Sequence, residues 1–479
     1  MHLSQLLAGL CYKLVGDGDK IISSLCCDTS KVKRDCMFFC LKGEKYDGHD
    51  FYAKAVGDGA SVVVCQRQLD TQATQVVVED VRSFMAQAAE RFFGNPAEKL
   101  RVVSVVGTNG KTSTTYILDA IFKKAGFNTG VIGTNGVFIN GKKHETDLTT
   151  PDPIELNYWL SQMYLNKVRY VFVEVSAHAI YYKKLWGIRA ETAVFTNFSQ
   201  DHLDFFKDMG RYAATKRAYF CQQYARTAVV NADDKLGKEI LANADVQVVG
   251  YSVEGDGDSK AFDVKITNDG SEYVADLFGD QVKVRTRLCG KFNVYNTLCA
   301  ATVARIFGIS PETIAEGIYE VQNVDGRNET ILRDDGVRIV VDFAHTPDGV
   351  RNVLSYLRSV TSGKLFVVFG CGGNRDKFKR PLMGREVSDY ADLAIVTNDN
   401  PRFEEPAQIA RDVQAGLTCP CEVILNRARA TERALSLAKE GDVVALLGKG
   451  AEKYQEIRGR KYPYSDVETV HKLLRKSGE

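Results

Sequence analysis

The sequence predicts an α/β protein in which several mostly parallel sheets are flanked by helices. Short runs of β-branched apolar residues alternate with helical patterns along most of the chain, which is typical of βα units. Polar, glycine-rich loops follow many of these runs, as they do at the ligand-binding edge of a parallel sheet. The chain has 479 residues, which indicates about three domains.

The composition favours a cytoplasmic protein that acts on small molecules. A net charge of +1 with 26% charged residues argues against a nucleic-acid partner or a polybasic membrane surface. No apolar run approaches the ~18 residues of a spanning helix, so we expect no membrane insertion. Leu3, Leu6 and Leu7 have helical spacing without a basic flank, which predicts an amphipathic helix rather than a signal peptide. The 12 cysteines form no paired CxxC pattern, and reduced thiols are the expected state.

Residues 1–97 are predicted to form a small α/β domain. Apolar segments at 37–41, 60–64 and 75–78 predict strands, and a helix is expected over 81–93. The break Gly94-Asn95-Pro96 then suits a domain boundary.

Residues 98–325 contain the most informative motif. A buried strand at 102–106 is followed by Gly107-Thr-Asn-Gly-Lys-Thr112 and a helical pattern, the layout of a phosphate-binding loop. In such a loop Lys111 can reach terminal phosphates and Thr112 can bind Mg²⁺. The usual first glycine is replaced by Val105, and a plain βα turn is the alternative interpretation.

Two further strands in this segment end in polar residues. Glu174 ends the apolar run 170–175, and Asp201 and His202 follow the strand at 193–196. We expect these side chains to face the phosphate loop and to bind a divalent ion that carries phosphates. A helix over 211–224 is predicted to carry Lys216.

Residues 326–479 form another βα alternation, with strands predicted at 337–341, 365–369, 393–396, 421–425 and 443–447. Its loops are rich in arginine, whose planar fork suits carboxylates and phosphates; these are Arg327, Arg375, Arg380 and Arg402. A nucleotide site that faces a carboxylate site suggests activation of a carboxylate by phosphoryl transfer. The residue patterns by themselves do not define the reaction more closely.

Eleven motifs in order make the chain similar to the Mur ligase family over its whole length. The matching pieces are Gly107–Thr112, Thr149–Asp152, Glu174–Ser176, Thr196-Asn197 with Asp201–Asp204, Tyr212 with Lys216, Gly290–Asn296, Gly326–Glu329, Asp342–Pro347, Gly370–Asp376 with Lys379–Pro381, Asp399–Arg402, and Gly448–Gly450 with Glu452.

The resemblance implies the three-domain architecture of Mur ligases. Residues 1–97 would be a UDP-sugar-binding domain, 98–325 a central P-loop ATPase domain with a mostly parallel sheet, and 326–479 a Rossmann-like domain that binds an amino acid. It also implies an ADP-forming ligase of peptidoglycan precursor synthesis, active as a monomer. ATP would phosphorylate the D-Glu carboxylate of UDP-MurNAc-L-Ala-D-Glu, and the amine of meso-diaminopimelate would attack the acyl phosphate.

Site roles follow from the resemblance alone. ATP would contact Gly107, Thr108, Asn109, Gly110, Lys111, Thr112, Ser113, Asn296, Arg327 and Asp342. The UDP-dipeptide would contact Thr29, Ser30, His49, Thr149, Thr150, Ser176 and Lys184. The amino acid would contact Arg375, Asn400, Pro401, Arg402, Gly448 and Glu452. The implied catalytic residues are Lys111, Glu174, His202 and Lys216, and the implied Mg²⁺ ligands are Thr112, Glu174, His202 and Lys216, the last as a carbamylated lysine.

Arg402 is expected to select the amino acid, because it offers a bidentate partner to a distal carboxylate that lysine lacks. The chain departs from the family pattern at Ala177, Tyr182, Lys184, Phe343 and Ala451. Ligation of L-lysine, a paralogue with a shifted acceptor, a sister ligase that adds D-Ala-D-Ala or a glutamate, and a non-catalytic nucleotide-binding protein remain as alternatives.

Overall fold

The computed structural model describes residues 1–43 and 46–477. Its N-terminal unit is a mostly parallel sheet with the strand order β1-β5-β4-β3-β2, in which only the edge pair β1–β5 is antiparallel among the described strands. The strands are β1 (Lys13–Val15), β2 (Ser24–Cys26), β3 (Cys36–Phe39), β4 (Ala60–Cys65) and β5 (Thr74–Val77), and the helices are α1 (Leu3–Leu7), α2 (Tyr52–Gly57) and α3 (Val81–Phe92).

The central unit is built on one long sheet with β6 in its middle. Strand order is β16-β15-β14-β13-β12-β11-β6-β10-β7-β8-β9. The strands are β6 (Arg101–Val106), β7 (Thr129–Gly133), β8 (Gly136–Ile139), β9 (Lys142–His144), β10 (Tyr170–Val175), β11 (Ala190–Phe195), β12 (Ala225–Asn231), β13 (Gln247–Ser252), β14 (Ser259–Thr267), β15 (Gly270–Leu277) and β16 (Asp280–Thr286). The helices are α4 (Lys111–Lys124), α5 (Pro153–Leu165), α6 (Ala177–Tyr181), α7 (Leu203–Phe206), α8 (Met209–Arg217), α9 (Lys235–Asn243), α10 (Lys291–Ile306) and α11 (Pro311–Glu320).

The C-terminal unit is a second helix-flanked sheet, in the order β17-β18-β22-β19-β20-β21. Its strands are β17 (Glu329–Leu332), β18 (Arg338–Asp342), β19 (Leu365–Phe369), β20 (Leu393–Val396), β21 (Cys421–Val423) and β22 (Val443–Leu447), followed by the hairpin β23 (Tyr454–Ile457) and β24 (Arg460–Pro463). Its helices are α12 (Pro347–Val360), α13 (Lys379–Ser388), α14 (Pro406–Gln414), α15 (Arg427–Leu437) and α16 (Asp466–Ser477).

The parallel arrangement of β10, β6 and β11 positions the site. β6 pairs in parallel with both neighbours, and all three strands are buried. Apolar side chains cover both faces: Ile117 and Leu298 pack with Val103 on one face, while Leu156 packs with Val102 on the other. Burial on both faces explains the uninterrupted apolar runs in these strands. The loops after the three strands therefore meet at one edge of the sheet.

The predicted α/β class and mostly parallel sheets are confirmed, with differences at element ends. The helix expected over 211–224 ends at Arg217, because Tyr219 and Phe220 turn away from its line into the core. The strand expected over 421–425 is shorter and spans Cys421–Val423. Among the described residues, no helix is both long and apolar enough to cross a membrane.

Candidate active site

The loop between β6 and α4 is a tight glycine turn at the N-terminus of α4. Gly110 has a φ of +84°, and a Cβ there would lie 2.4 Å from Asn296 Oδ1. A Cβ on Gly107 would lie 1.8 Å from Thr196 Oγ1. Only glycine fits both positions without displacing a neighbour. The N–H groups of Thr108 and Asn109 donate to Asn197 O and Oδ1, each at 2.9 Å, so the N–H groups that can bind an anion are those at the N-terminus of α4.

Lys111, the first residue of α4, folds back over this loop. Its Nζ donates to the carbonyl oxygens of Gly107 at 3.0 Å and Thr108 at 2.8 Å. Burial lowers the pKa of Lys111 below its usual value, although Glu174 opposes that shift. A phosphate at the loop would supply the anionic partner that this buried ammonium lacks.

Glu174, near the end of β10, is held opposite the loop by two threonines. Thr112 Oγ1 donates to Glu174 Oε2 at 3.0 Å, while the N–H and hydroxyl of Thr134 donate to Oε1 at 3.0 Å and to Oε2 at 3.1 Å. Arg327 Nη2 donates to Thr112 Oγ1 at 3.0 Å. A hydroxyl, a carboxylate and a guanidinium thus meet where the terminal phosphates of a nucleotide on this loop would lie.

Asp201 is the centre of a second charged cluster, shared by two units. Its carboxylate lies 3.1 Å from Lys379 Nζ, 3.3 Å from His202 Nε2 and 3.5 Å from His345 Nε2. Burial acts to raise the pKa of Asp201, but Lys379, His202 and His345 together hold it well below its usual value. Burial lowers the pKa of His202 to about 3, so its imidazole is neutral and able to bind a metal ion.

Lys216 lies in the interior beneath the phosphate loop. It is 0% exposed, and its Nζ donates to Thr108 Oγ1 at 3.0 Å and lies 4.6 Å from the centre of the Tyr212 ring. Within the described part of the chain, no carboxylate lies within ion-pair distance of its Nζ. Burial, assisted by Lys111, holds the pKa of Lys216 well below its usual value, which favours the uncharged amine.

The loop after β20, residues 399–402, forms a third polar cluster that we call the amino-acid loop. Lys449 is 0% exposed and donates to Asn400 Oδ1 at 3.1 Å and to Glu452 Oε2 at 2.7 Å. Asn400 Nδ2 also donates to Glu452, at 2.9 Å. Arg402 has a φ of +51°, a left-handed backbone that costs a non-glycine residue roughly 1–2 kcal/mol. Surrounding contacts fix this loop in one shape.

One cleft of about 880 Å³ lies between the central and C-terminal units. It contains the phosphate loop with Glu174, the cluster around Asp201, and the amino-acid loop. Most of the residues predicted from the sequence line it, namely Thr108, Asn109, Gly110, Lys111, Thr112, Ser113, Thr149, Thr150, Glu174, Ser176, Lys184, His202, Asn296, Arg327, Asp342, Arg375, Asn400, Arg402, Gly448 and Glu452. Gly107 and Pro401 belong to the same loops and Lys216 lies on α8, but these three residues do not line the cleft.

The residues predicted in the N-terminal unit lie apart from this cleft. Thr29 and Ser30 form a 3-10 turn, Thr29–Lys31, that Asp28 caps. His49 is 3% exposed, its Nδ1 lies 2.6 Å from Asp47 Oδ1, and its Nε2 accepts from the N–H of Gln66 at 2.9 Å. Both ring nitrogens of His49 therefore have partners within the unit, and the imidazole stabilises the turn that carries it.

Several residues of the site were not singled out from the sequence. His345, Lys379 and Lys449 lie within the matched motifs, so those motifs were a signal for them. Thr134 and Glu456, in contrast, lie in segments without a recognisable pattern. Arg380, expected in the arginine-rich crevice, is instead 0% exposed and paired with Glu404 and Asp412. Its guanidinium stabilises the unit and does not line the cleft.

Comparison with known families covers most of the chain. The profile of the Mur ligase middle domain matches residues 105–304, that of the Mur ligase glutamate ligase domain matches 326–450, and that of the Mur ligase family catalytic domain matches 21–93.

Curated relatives match at full length. A UDP-N-acetylmuramoyl-L-alanyl-D-glutamate–2,6-diaminopimelate ligase of Aquifex aeolicus is 39% identical over 95% of this chain and 94% of its own. A ligase of the same name, numbered 1, from Clostridium acetobutylicum is 37% identical over 99% of both chains.

Solved structures agree with these matches. A structure of a UDP-N-acetylmuramoyl-L-alanyl-D-glutamate–2,6-diaminopimelate ligase has a TM-score of 0.70 and 28% identity, and covers 100% of this chain and 99% of its own. A MurF ligase of Thermotoga maritima in complex with ADP shares the fold, with a TM-score of 0.64 and 19% identity over 95% of this chain and 97% of its own. The predicted three-domain architecture is thereby confirmed, and the chain belongs to the Mur ligase family.

Proposed function

We propose that this protein is an ATP-dependent ligase that joins meso-diaminopimelate to the D-Glu carboxylate of UDP-MurNAc-L-Ala-D-Glu through an acyl phosphate. The observation that carries the proposal is the shared cleft, in which the phosphate loop and the amino-acid loop face one cavity. The names of the full-length relatives support the same reaction.

The chain's residues suit phosphoryl transfer to a carboxylate. A carboxylate is a poor electrophile at neutral pH, and its conversion to an acyl phosphate, a mixed anhydride, makes phosphate the leaving group when the amine attacks. Lys111 and Arg327 would bind the transferring phosphoryl group and offset its charge. The loop N–H groups would bind the remaining phosphates, with Asn296 and Asp342 at the nucleotide.

Mg²⁺ fits the donors present beside the loop. The Thr112 hydroxyl and the Glu174 carboxylate are hard oxygen donors 3.0 Å apart, and His202 is neutral. Among the described residues, no group of three or more His, Cys, Asp or Glu side chains could hold a metal ion. Mg²⁺ commonly completes its coordination with phosphate oxygens and water, which this arrangement allows. When bound, the ion would neutralise charge on the phosphates.

Lys216 is proposed to be carbamylated. CO₂ reacts with an uncharged amine, and the burial of Lys216 without a carboxylate partner favours that form. A carbamate would place behind the phosphate loop an anion that can bind Mg²⁺.

The two substrates are proposed to enter from opposite sides of the phosphate loop. Thr149, Thr150, Ser176 and Lys184 would bind the dipeptide end of the acceptor, and Lys184 Nζ already donates to Thr150 O at 2.9 Å. The N-terminal unit, with Thr29, Ser30 and the turn of His49, would bind the UDP group. Arg375, Asn400, Pro401, Arg402, Gly448 and Glu452 would bind the amino acid.

Phosphate release by the purified protein tests this proposal. With ATP, Mg²⁺ and UDP-MurNAc-L-Ala-D-Glu, we expect meso-diaminopimelate to give faster release than L-lysine, and mass spectrometry to detect the tripeptide product. Faster turnover of L-lysine would contradict the choice of amino acid. Background release with every amino acid would contradict the ligase activity itself.

A further inference from the structure

The hairpin β23–β24 is bonded along its first strand to the amino-acid loop. The N–H of Arg402 donates to Glu456 O at 3.0 Å, and the N–H of Arg458 donates to Arg402 O at 2.7 Å. The N–H of Glu456 donates to Asn400 Oδ1 at 2.9 Å, and Gln455 Nε2 donates to Asp399 O at 3.0 Å. These hydrogen bonds together hold Arg402 in its left-handed backbone conformation.

The side chain of Glu456 reaches the guanidinium of Arg402 from this strand. Arg402 Nε donates to Glu456 Oε2 at 3.0 Å, and Arg402 Nη1 donates to Gly373 O at 2.9 Å. The Arg402 and Glu456 side chains are 19% and 27% exposed, so the pair is largely shielded from water. Because a guanidinium is planar and rigid, two bonds in divergent directions fix its orientation.

Part of the Arg402 guanidinium remains available to hydrogen-bond a ligand. Among the described residues, Glu456 occupies the Nε side and Gly373 takes one N–H of Nη1, which leaves the other N–H of Nη1 and those of Nη2 as donors. Arg402 lines the cleft. A carboxylate can bind end-on to these two nitrogens in a bidentate manner. Glu456 therefore orients Arg402 without taking the position of such a carboxylate.

We propose that Glu456 is a positioning residue that orients Arg402 and thereby helps to select an amino acid with a distal carboxylate. This inference rests on the proposed function, in which Arg402 binds that carboxylate. Without Glu456, only the bond to Gly373 O restrains the guanidinium, which can then turn about the Cδ–Nε bond, and the bidentate geometry is populated only part of the time.

Steady-state phosphate release with saturating ATP and UDP-dipeptide tests this role. We expect Glu456→Leu to raise the KM for meso-diaminopimelate about tenfold while kcat stays within about twofold and the KM for ATP is unchanged. Glu456→Gln keeps an oxygen acceptor for Nε but loses the charge, and we expect it to raise the KM for meso-diaminopimelate about threefold. In the Arg402→Ala background, Glu456→Leu should change that KM by less than about twofold, because the group it orients is absent.

Glu422→Gln is the matched control, since Glu422 pairs with Arg433 on the surface of the same unit and does not line the cleft. We expect its kinetics to equal those of the wild type. The inference is wrong if both Glu456 variants keep or lower the KM for meso-diaminopimelate, or if Glu456→Leu raises it equally in the Arg402→Ala background. Wild-type protein that does not turn over meso-diaminopimelate would overturn the proposed function as well, whereas an active wild type with unaffected variants overturns only this inference.

Discussion

Lys379 and Asp201 form a buried ion pair that joins the C-terminal unit to the central unit. Lys379 Nζ lies 3.1 Å from Asp201 Oδ1, and the two side chains are only 8% and 6% exposed. Lys379 begins α13, while Asp201 lies in the loop after β11 beside the proposed metal ligand His202. The pair therefore connects the position of the C-terminal unit to the geometry of the phosphate loop.

We expect Lys379→Met to destabilise the protein and to lower kcat. The variant leaves the Asp201 carboxylate buried without its strongest cationic partner, which typically costs roughly 3–5 kcal/mol. Thermal unfolding and phosphate release measure the two effects. The double variant Asp201→Asn with Lys379→Met should recover part of the lost stability, and a single variant with wild-type stability would contradict the prediction.

We expect Arg402→Ala to raise the KM for meso-diaminopimelate by roughly 10- to 100-fold. A hydrogen-bonded charged group commonly contributes about 1.5–3 kcal/mol, which corresponds to that range. The KM for ATP should not change, because the phosphate loop is formed by other residues. Arg433→Ala is the control, since Arg433 is half-exposed and pairs with Glu422 outside the cleft. Equal KM values in the Arg402 and Arg433 variants would contradict this role.

We expect Lys216→Ala to lower kcat by at least about a hundredfold, and a small carboxylate such as acetate to restore part of the activity. Acetate can occupy the space of the lost side chain and supply the oxygen anion of a carbamate. Labelled bicarbonate should give the wild-type protein a carbamate signal in carbon NMR that the variant lacks. Lys238→Ala, an exposed lysine on α9, serves as the control. Wild-type protein without that signal would contradict carbamylation.

We expect the stability of the C-terminal unit to fall as the pH is lowered from about 4.5 towards 2, in part through Glu404. Burial acts to raise the pKa of Glu404, but hydrogen bonds from Arg380 and from the N–H of Asn374 lower it from 4.5 to about 2. Because the folded pKa lies below the unfolded one, the stabilisation is complete above about pH 4.5 and is lost as Glu404 is protonated. Thermal unfolding across this range should show a weaker pH dependence in Glu404→Gln than in the wild type; equal dependences would contradict the assignment.

Local patterns were sufficient for the strands that carry the site. The runs at 170–175 and 443–447 coincide with β10 and β22, since a strand buried on both faces must be apolar throughout. Lys111, Glu174 and Arg402, which were named from motif resemblance, line one cleft although they are distant along the chain. The hairpin β23–β24 was not predicted, because β23 is half-exposed, β24 is exposed, and both strands are mixed in polarity.

The α/β class, the phosphate loop and the family could be predicted from the sequence, because these depend on periodicity and on motifs of adjacent residues. The partners of the charged side chains became evident from the tertiary structure. Arg380 pairs with Glu404 and Asp412 and does not line the cleft, whereas Glu456 lies beside Arg402. Pairing of this kind depends on distances between side chains from separate elements, which no local pattern specifies.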